Sequence, residues 1–311
     1  MIFEKFMEET SERTVRALIG MSKAQFAKLC PIFEEAHAEI QQERVQQGEI
    51  KRVPKGGHVG YLDRIDKKLF FILHYLKTYC TFDVLGFHFG FSSGHAHRHV
   101  AQLLPVLRRS LAKLDLLPER ELTTPGEMMK LIEKHGDIII DGVECSCVRP
   151  QDDDQQKAHY SGKKKRHTVK TLVISTLARQ ILFVGSIVAG SVHDYALMKR
   201  WFDPALSWFD GADVWLDLGF LGAASDYGNK ARIHLPHKKP RASKNNPHPA
   251  LADQQRRENK KQARTRISVE HSIGGMKTFH CLMHRIRNRL SLFIDSFFGL
   301  GAGLWNLKIS L

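Results

Sequence analysis

Two kinds of hydrophobic spacing divide this chain. In the first third, apolar residues recur every three or four positions, as on one face of a helix. Phe26, Leu29, Phe33 and Ala36 show this spacing, and they follow Ser22, a residue type that favours a helix N-cap. After about residue 130 the period changes, and short runs rich in Ile, Val and Thr predict β-strands. The pattern therefore predicts a helical N-terminal part followed by an α/β part.

Three closely spaced helices are predicted within residues 61–114. A long helix, a short helix, a turn and a third helix, in this order, are the outline of a helix-turn-helix DNA reader. We expect Arg98, on the third helix, to contact DNA. The first predicted helix is capped by Asp63 and runs through Lys77, and the second is capped by Thr81 and runs through Phe89. The third begins at Ser93 and runs to about Leu104.

The second part alternates predicted strands with predicted helices, which implies a sheet covered by helices. A linker with two prolines precedes it, at about residues 115–130. The predicted strands are Ile138–Cys147, Thr168–Thr176, Ile181–Ala189, Asp213–Asp217 and Arg232–Pro236. The predicted helices are Asp194–Phe202, Ala223–Lys230, Leu251–His280 with a break at Gly274-Gly275, and Phe293–Leu307, which we expect to pack on the sheet.

Length and composition bound the class of protein. A chain of 311 residues that is 42% hydrophobic can bury two cores. We divide it into an N-terminal helical region with a basic loop (1–60), a helix-turn-helix domain (61–117) and an α/β domain (118–311). The five cysteines are irregularly spaced without a CxxC pair, which argues against a disulfide framework or a zinc site. Without a signal peptide or an 18-residue apolar stretch, we expect a cytoplasmic protein with no membrane partner.

The basic charge points to a polyanionic partner. Net charge is +14, and residues 229–289 alone contain 16 Lys or Arg against three Asp or Glu. The partner surface is therefore expected to be mostly C-terminal. Lys163-Lys164-Lys165-Arg166 precedes a predicted strand and is either a solubilising turn or a set of phosphate contacts. We favour phosphate contacts, which would not specify sequence.

Three carboxylates occupy unusual places. Asp141 and Asp217 each follow an apolar run and are closely followed by glycine, and Glu270 lies in a cation-rich helical segment. Buried charge is costly unless paired, and converging carboxylates hold Mg²⁺ or Mn²⁺ in proteins. Alternatively, an aspartate can cap a turn, and a helical glutamate among cations is commonly a solvated ion pair. Two such aspartates in one chain favour the metal interpretation, whereas Asp152-Asp153-Asp154 is interpreted as a solvated polar loop.

The neighbours of these carboxylates extend the candidate site. Arg266 lies one turn before Glu270 and Lys277 two turns after it, so one face of the predicted helix carries cation, carboxylate and cation. Such a face can bind a metal through Glu270 and phosphates through the two cations. His193-Asp194 opens a predicted helix, where Asp194 is either the N-cap or, with His193, a group that supports the metal ligands.

Five segments, in this order, resemble the DDE transposases of bacterial insertion sequences, in the group related to the Harbinger elements. The resemblance covers about residues 60–307. The segments are Asp141-Gly142, Tyr160-Ser161-Gly162-Lys163-Lys164-Lys165-Arg166-His167-Thr168-Val169-Lys170, Gly190-Ser191-Val192-His193-Asp194, Asp217-Leu218-Gly219-Phe220 and Arg266-Ile267-Ser268-Val269-Glu270-His271-Ser272-Ile273-Gly274.

The resemblance implies an α/β, RNase H-like catalytic domain preceded by an all-α helix-turn-helix domain. It implies that Asp141, Asp217 and Glu270 are catalytic residues and metal ligands, and the expected cofactor is two Mg²⁺ or Mn²⁺ ions. The expected activity is cleavage of element ends and strand transfer by in-line phosphoryl transfer on double-stranded DNA, both terminal inverted repeats and target. We expect a homodimer or larger assembly on DNA, associated with the nucleoid.

Two alternatives stay open, and two positions depart from the family pattern. The alternatives are a transposase-derived DNA-binding protein without catalysis, and a hydrolytic DNA endonuclease of the same fold. Many insertion-sequence transposases carry Tyr three residues before the Arg that precedes the catalytic Glu, where this chain has Ala263. Its third predicted helix begins with Gly94 and three histidines, where related proteins tend to have Ser-Thr-Val.

Overall fold

A computed structural model describes residues 2–53, 60–228, 231–244 and 246–310. Residues 54–59 of the predicted basic loop, and residues 229–230 at the end of one predicted helix, lie outside the described residues. The chain divides into two compact units. The first unit comprises Met1–Leu117, Met276–Ile286 and Leu292–Leu311, and the second comprises Pro118–Gly275 and Arg287–Ser291.

The elements are numbered in chain order. The α-helices are α1 (Ile2–Glu8), α2 (Glu12–Ile19), α3 (Lys23–Gln46), α4 (Ile65–Thr78), α5 (Phe82–Phe89), α6 (Ser93–Lys113), α7 (Pro125–His135), α8 (Asp153–His159), α9 (Asp194–Trp201), α10 (Ala223–Tyr227), α11 (Asp253–Met276), α12 (His280–Met283) and α13 (Ser291–Ile309). The strands are β1 (Ile138–Ser146), β2 (Tyr160–Ser161), β3 (Arg166–Thr176), β4 (Ile181–Val184), β5 (Val188–Ala189), β6 (Asp213–Trp215) and β7 (Arg232–His234), and Leu218–Phe220 forms a short 3₁₀ helix.

Side-chain caps begin several helices of the first unit. Ser22 caps α3 in a reciprocal capping box with Gln25, and Thr81 caps α5, as predicted. Helix α6 begins at Ser93, as predicted, with Ser92 as its N-cap. It continues to Lys113 rather than ending near residue 104, because its buried apolar face extends to Leu111.

The start of α4 differs from the prediction. Arg64 occupies its N-cap position without a side-chain capping bond, and Asp63 instead lies 3.4 Å from the buried ammonium of Lys67. Burial of that ammonium among apolar side chains of α4 requires a nearby carboxylate. The predicted order of long helix, short helix, turn and third helix is nevertheless what α4, α5 and α6 form.

Gly86 sets the approach of α5 to the turn before α6. A Cβ at this position would lie 2.3 Å from the carbonyl oxygen of Phe91. Backbone cannot yield as a flexible side chain does, so Gly86→Ala is expected to lower the free energy of unfolding by about 1–3 kcal/mol. Gly94→Ala is the matched control, because only Ser92 Oγ, at 4.0 Å, approaches a Cβ there, and this change is expected to be neutral or slightly stabilising. Chemical denaturation of both variants checks this, and equal midpoints would contradict it.

The C-terminal helix α13 belongs to the first unit, so the prediction that it packs on the sheet is wrong. The Gln25 amide approaches the carbonyl oxygen of Leu307 at 3.5 Å, and the Asn306 amide donates to Leu116 at 2.9 Å. Gly303 permits this close packing, because a Cβ there would lie 2.9 Å from Leu117. An apolar helix indicates burial, but its pattern does not specify which surface buries it.

The second unit is built on a mixed sheet. Its strand order among the described residues is β2-β3-β1-β6-β7, with β4 and β5 also pairing with β3. Strands β1 and β3 are antiparallel over nine residue pairs, whereas β6 lies parallel to β1 and β7 parallel to β6. The predicted strand Ile181–Ala189 is in fact two strands, β4 and β5. The predicted α/β domain with a mixed sheet covered by helices, after an all-α helix-turn-helix, is confirmed.

Alternate residues of β1 face opposite sides of the sheet. Ile138 and Ile140 join the main core of this unit, together with Leu197 and Met198 of α9. Asp141 points to the other side, where Arg266 of α11 approaches it. Helices therefore cover both faces of the sheet at the level of Asp141.

Three further helices differ from the sequence prediction. The predicted linker contains α7, and the acidic run that we interpreted as a loop begins α8, with Asp152 as its N-cap. Helix α11 is continuous through Gly274-Gly275 and ends at Met276, four residues earlier than predicted. Across the described parts of the chain, no helix combines the length and the apolar character needed to span a membrane.

Candidate active site

Parallel register brings Asp141 and Asp217 together. Ile138 pairs with Val214 and Ile139 with Trp215, and each aspartate lies two residues beyond the last of these pairs. Parallel neighbours keep equal offsets, so the two aspartates reach the same level, where β1 and β6 no longer pair. Asp217 also acts electrostatically on Asp141. The structure thus unites two residues that lie 76 positions apart in sequence.

The local hydrogen bonds of the two aspartates are similar. Oδ1 of Asp141 accepts from the Gly142 N–H, and Oδ1 of Asp217 accepts from the Gly219 N–H, both at 2.7 Å. Asp141 lies inside β1 rather than at its end, and Asp217 caps the short 3₁₀ helix. One oxygen of each carboxylate is thereby fixed by backbone. The second oxygen of Asp141 lies 3.4 Å from Nη2 of Arg266.

The charge of Asp141 is only partly compensated. Burial raises the pKa of its carboxyl to about 6, from an ordinary 3.8. The Arg266 guanidinium and the Gly142 N–H oppose this rise, whereas the charges of Asp217 and Asp194 add to it. One partly buried arginine therefore does not neutralise the carboxylates gathered around Asp141.

Asp194 is the third carboxylate at this place. The N-cap of α9 is His193, whose Nδ1 accepts from the Tyr195 N–H at 3.3 Å, so the interpretation of Asp194 as the N-cap is wrong. A Cβ on Gly142 would lie 2.7 Å from Asp194 Oδ1, and a Cβ on Gly219 would lie 3.1 Å from its Oδ2. The glycines that follow the two aspartates thus leave room for Asp194 between them.

The structure does not place Glu270 with the aspartates. It is exposed on α11, one turn after Arg266, which does contact Asp141. Lys277 follows the last residue of α11, so the predicted stripe of cation, carboxylate and cation on one helix face is interrupted after Glu270. Glu270 and Lys277 remain predicted site residues on the strength of the sequence alone.

The other predicted DNA contacts are exposed. Lys163, Lys164 and Lys165 form the turn before β3, and Arg166 begins that strand. Arg166 precedes Val173, the residue opposite Asp141, by seven positions, or about 23 Å along an extended strand. These cations therefore lie at a distance from the carboxylates, suited to phosphates away from the reacting one. Arg98 is exposed near the start of α6.

The donor set fits a hard cation. Within the described ranges, no three His, Cys, Asp or Glu side chains form a ready-made metal site. Asp141 and Asp217 nevertheless present carboxylate oxygens at one level, and burial disfavours the charge of Asp141. Asp194 Oδ1 is a buried oxygen that accepts no hydrogen bond, and the Lys170 ammonium lies 3.0 Å from it. Oxygen ligands with excess negative charge are what Mg²⁺ and Mn²⁺ bind.

Comparison with known proteins decides the family. Residues 140–306 match the family described as DDE superfamily endonuclease, and residues 62–113 match the helix-turn-helix of DDE superfamily endonuclease. The chain belongs to the DDE superfamily endonucleases. The match to the catalytic family includes Asp141, Asp217 and Glu270, and the second match covers α4, α5 and α6.

A curated relative supports this assignment. The chain is 29% identical over 255 residues to a probable transposase for insertion sequence element IS702 of Microchaete diplosiphon. The aligned region covers 79% of this chain and 82% of that protein. No solved structure gives a significant match. The prediction of a DDE-type transposase or endonuclease with an N-terminal helix-turn-helix is confirmed, and endonucleases of this superfamily are metal-dependent DNA-binding enzymes. The relation to the Harbinger elements stays a prediction.

One residue of this DDE endonuclease site escaped the sequence analysis. Lys170 lies in the middle of β3 with its side chain only 10% exposed, and its ammonium lies 3.0 Å from Asp194. The signal was present, because Lys170 is a lone charge in a strand otherwise made of apolar and Thr or Ser side chains from residue 168 onward. Such a lysine requires a buried partner.

The charge on Asp141 should cost the metal-free enzyme stability. Because its pKa is raised when folded, the folded state binds this proton more tightly than the unfolded state, and stability falls as pH rises from about 4 to 6. Above pH 6 the cost amounts to roughly 3 kcal/mol. Asp141→Asn should recover up to that amount at pH 8 in the presence of a chelator. Chemical denaturation at pH 5 and pH 8 checks this, and an equal change with pH in both proteins would contradict it.

Proposed function

We propose that this DDE endonuclease is the transposase of an insertion sequence, which cuts the element ends and joins them to target DNA. The proposed catalytic residues and metal ligands are Asp141, Asp217 and Glu270. The observation that carries the proposal is the parallel register of β1 and β6, which sets two partly buried aspartates at one level, with the charge of Asp141 only partly compensated. Such a pair serves little purpose in a protein that only binds DNA.

The proposed cofactor is two Mg²⁺ or Mn²⁺ ions held by these carboxylates. When bound, the ions would activate the attacking water or 3′-hydroxyl and stabilise the leaving oxygen of an in-line displacement at phosphorus. The protein's own part is to hold the ligands in place. Backbone N–H groups fix one oxygen each of Asp141 and Asp217, and the burial of Asp141 limits its access to water.

Cations of the chain supply the phosphate contacts. Arg266 lies beside Asp141 and can present its guanidinium to a phosphate that neighbours the reacting one. The exposed Lys163–Arg166 turn and Lys277 would contact the DNA backbone further away, and Arg98 on α6 would contact the terminal inverted repeat. His193, at the start of α9, would support Asp194. Cutting two ends and joining them calls for at least a homodimer on nucleoid DNA.

A cleavage assay tests this function. The full-length protein is incubated with labelled duplex that carries the element end, with Mg²⁺, Mn²⁺ or EDTA. Metal-dependent cleavage at the end is the expected result. A duplex that is bound but intact with either metal would favour the alternative of a DNA-binding protein without catalysis, whereas cleaved ends that never join to a target would favour a hydrolytic endonuclease.

A further inference from the structure

The side chain of Lys170 extends from β3 to Asp194. It lies on β3 opposite Glu144 of β1, and its ammonium donates to the carbonyl oxygen of Val192 at 2.8 Å. The same ammonium lies 3.0 Å from Asp194 Oδ1, an ion pair without a directed hydrogen bond. Lys170 is therefore tied both to the segment that leads into α9 and to the first residue of that helix.

Asp194 in turn spans the two catalytic segments. Its Oδ1 lies against Gly142, next to Asp141, and its Oδ2 lies against Gly219, two residues after Asp217. The register between β1 and β6 comprises the pairs of Ile138 and Ile139, so the backbone ladder ends before the level of the aspartates. Asp194 contacts both segments at that level.

We infer that Lys170 is a positioning residue for the metal centre, acting through Asp194. Its positive charge permits a third carboxylate to lie beside Asp141 and Asp217, and its bond to Val192 fixes where that carboxylate lies. Asp194 then sets the separation of the two catalytic aspartates. The inference rests on the proposed function, because it concerns the ligands of the proposed metal ions.

Without Lys170, the carboxylate of Asp194 would face two other carboxylates with no cation of its own. Repulsion would move Asp194 or the Asp217 segment. The carboxylate oxygens of Asp141 and Asp217 would then no longer be held in one arrangement that suits a metal ion. Loss of a residue that orients metal ligands typically weakens metal affinity roughly 10–100-fold. Lys170→Met should therefore weaken metal binding without touching a ligand.

The test measures Mn²⁺ binding to the DNA-free, full-length protein by isothermal titration calorimetry. Lys170→Met and Asp194→Asn should each weaken binding at least about tenfold. The double variant should bind like Asp194→Asn alone, because Lys170 acts through Asp194. Lys170→Arg, which keeps the charge and is the variant least disturbing to the fold, should recover part of the affinity. Circular dichroism confirms that each variant is folded.

The matched control is Lys67→Met. Lys67 is a buried lysine of the first unit, 7% exposed and paired with Asp63 and Glu4, so it reports the general effect of losing such a residue. It should leave Mn²⁺ affinity unchanged.

Two further outcomes separate the inference from the proposed function. If Asp217→Asn loses Mn²⁺ binding but Lys170→Met and Lys170→Arg bind like the wild type, the inference about Lys170 is overturned and the proposed metal centre stands. The same holds if the double variant shows the sum of the single effects. If Asp141→Asn and Asp217→Asn also bind Mn²⁺ like the wild type, the proposed metal centre itself is overturned.

Discussion

Asp217→Asn is expected to lower the rate of DNA end cleavage at least about a thousandfold. Asn keeps the shape of the side chain and can still accept the hydrogen bond from Gly219 through its oxygen. It cannot supply the negative charge that, beside Asp141, makes this place suited to a divalent cation. Binding of end DNA should survive, because the helix-turn-helix lies in the other unit.

A matched control uses the acidic run at the start of α8. Asp154 is 89% exposed and forms an exposed ion pair with Lys157, so Asp154→Asn should cleave like the wild type. Single-turnover cleavage and gel-shift binding, measured on the same preparations, give both readouts. Cleavage by Asp217→Asn at more than a few per cent of the wild-type rate would show that Asp217 is not a catalytic residue.

Glu270→Gln is expected to cause a loss of similar size, although the structure shows Glu270 exposed and apart from the aspartates. Glu270 lies one turn after Arg266, which contacts Asp141, and residues four positions apart share one face of a helix. Because Glu270 is exposed, its replacement should leave the free energy of unfolding within about 0.5 kcal/mol of the wild type.

Glu258→Gln, on the same helix, is the control for Glu270→Gln. Glu258 pairs with His237 near the start of α11, and its neutralisation should leave cleavage unaffected. The comparison with Asp194→Asn identifies the third catalytic carboxylate. If Glu270→Gln kept full cleavage activity while Asp194→Asn lost it, that role would belong to Asp194, and the prediction from the sequence would be wrong.

Local sequence rules predicted much of the fold. Ser22 and Thr81 cap their helices as expected, because a cap depends on a few adjacent residues. Strand β1 follows its apolar run, and Asp141 stands out there as a charge within it. The parallel register with β6 then places Asp217 at the same level as Asp141.

Features that depend on distant parts of the chain could not be read from the pattern. The apolar spacing of α13 indicates burial, but its packing in the first unit depends on contacts with residues such as Leu117. Asp194 has the position and residue type of an N-cap, and only its fit against Gly142 and Gly219 shows its place in the site. The role that we infer for Lys170 depends on its contact with Asp194, which a local sequence pattern does not reveal.

We expect Asp141 and Asp217 to form the centre of a site that both cuts and joins DNA. Strand transfer tests it most directly. Purified wild type and Asp217→Asn are mixed with element-end DNA, a plasmid target and Mg²⁺ or Mn²⁺. Joined product is expected only when the wild type and the metal are both present. Joined product from Asp217→Asn at the wild-type rate would contradict it.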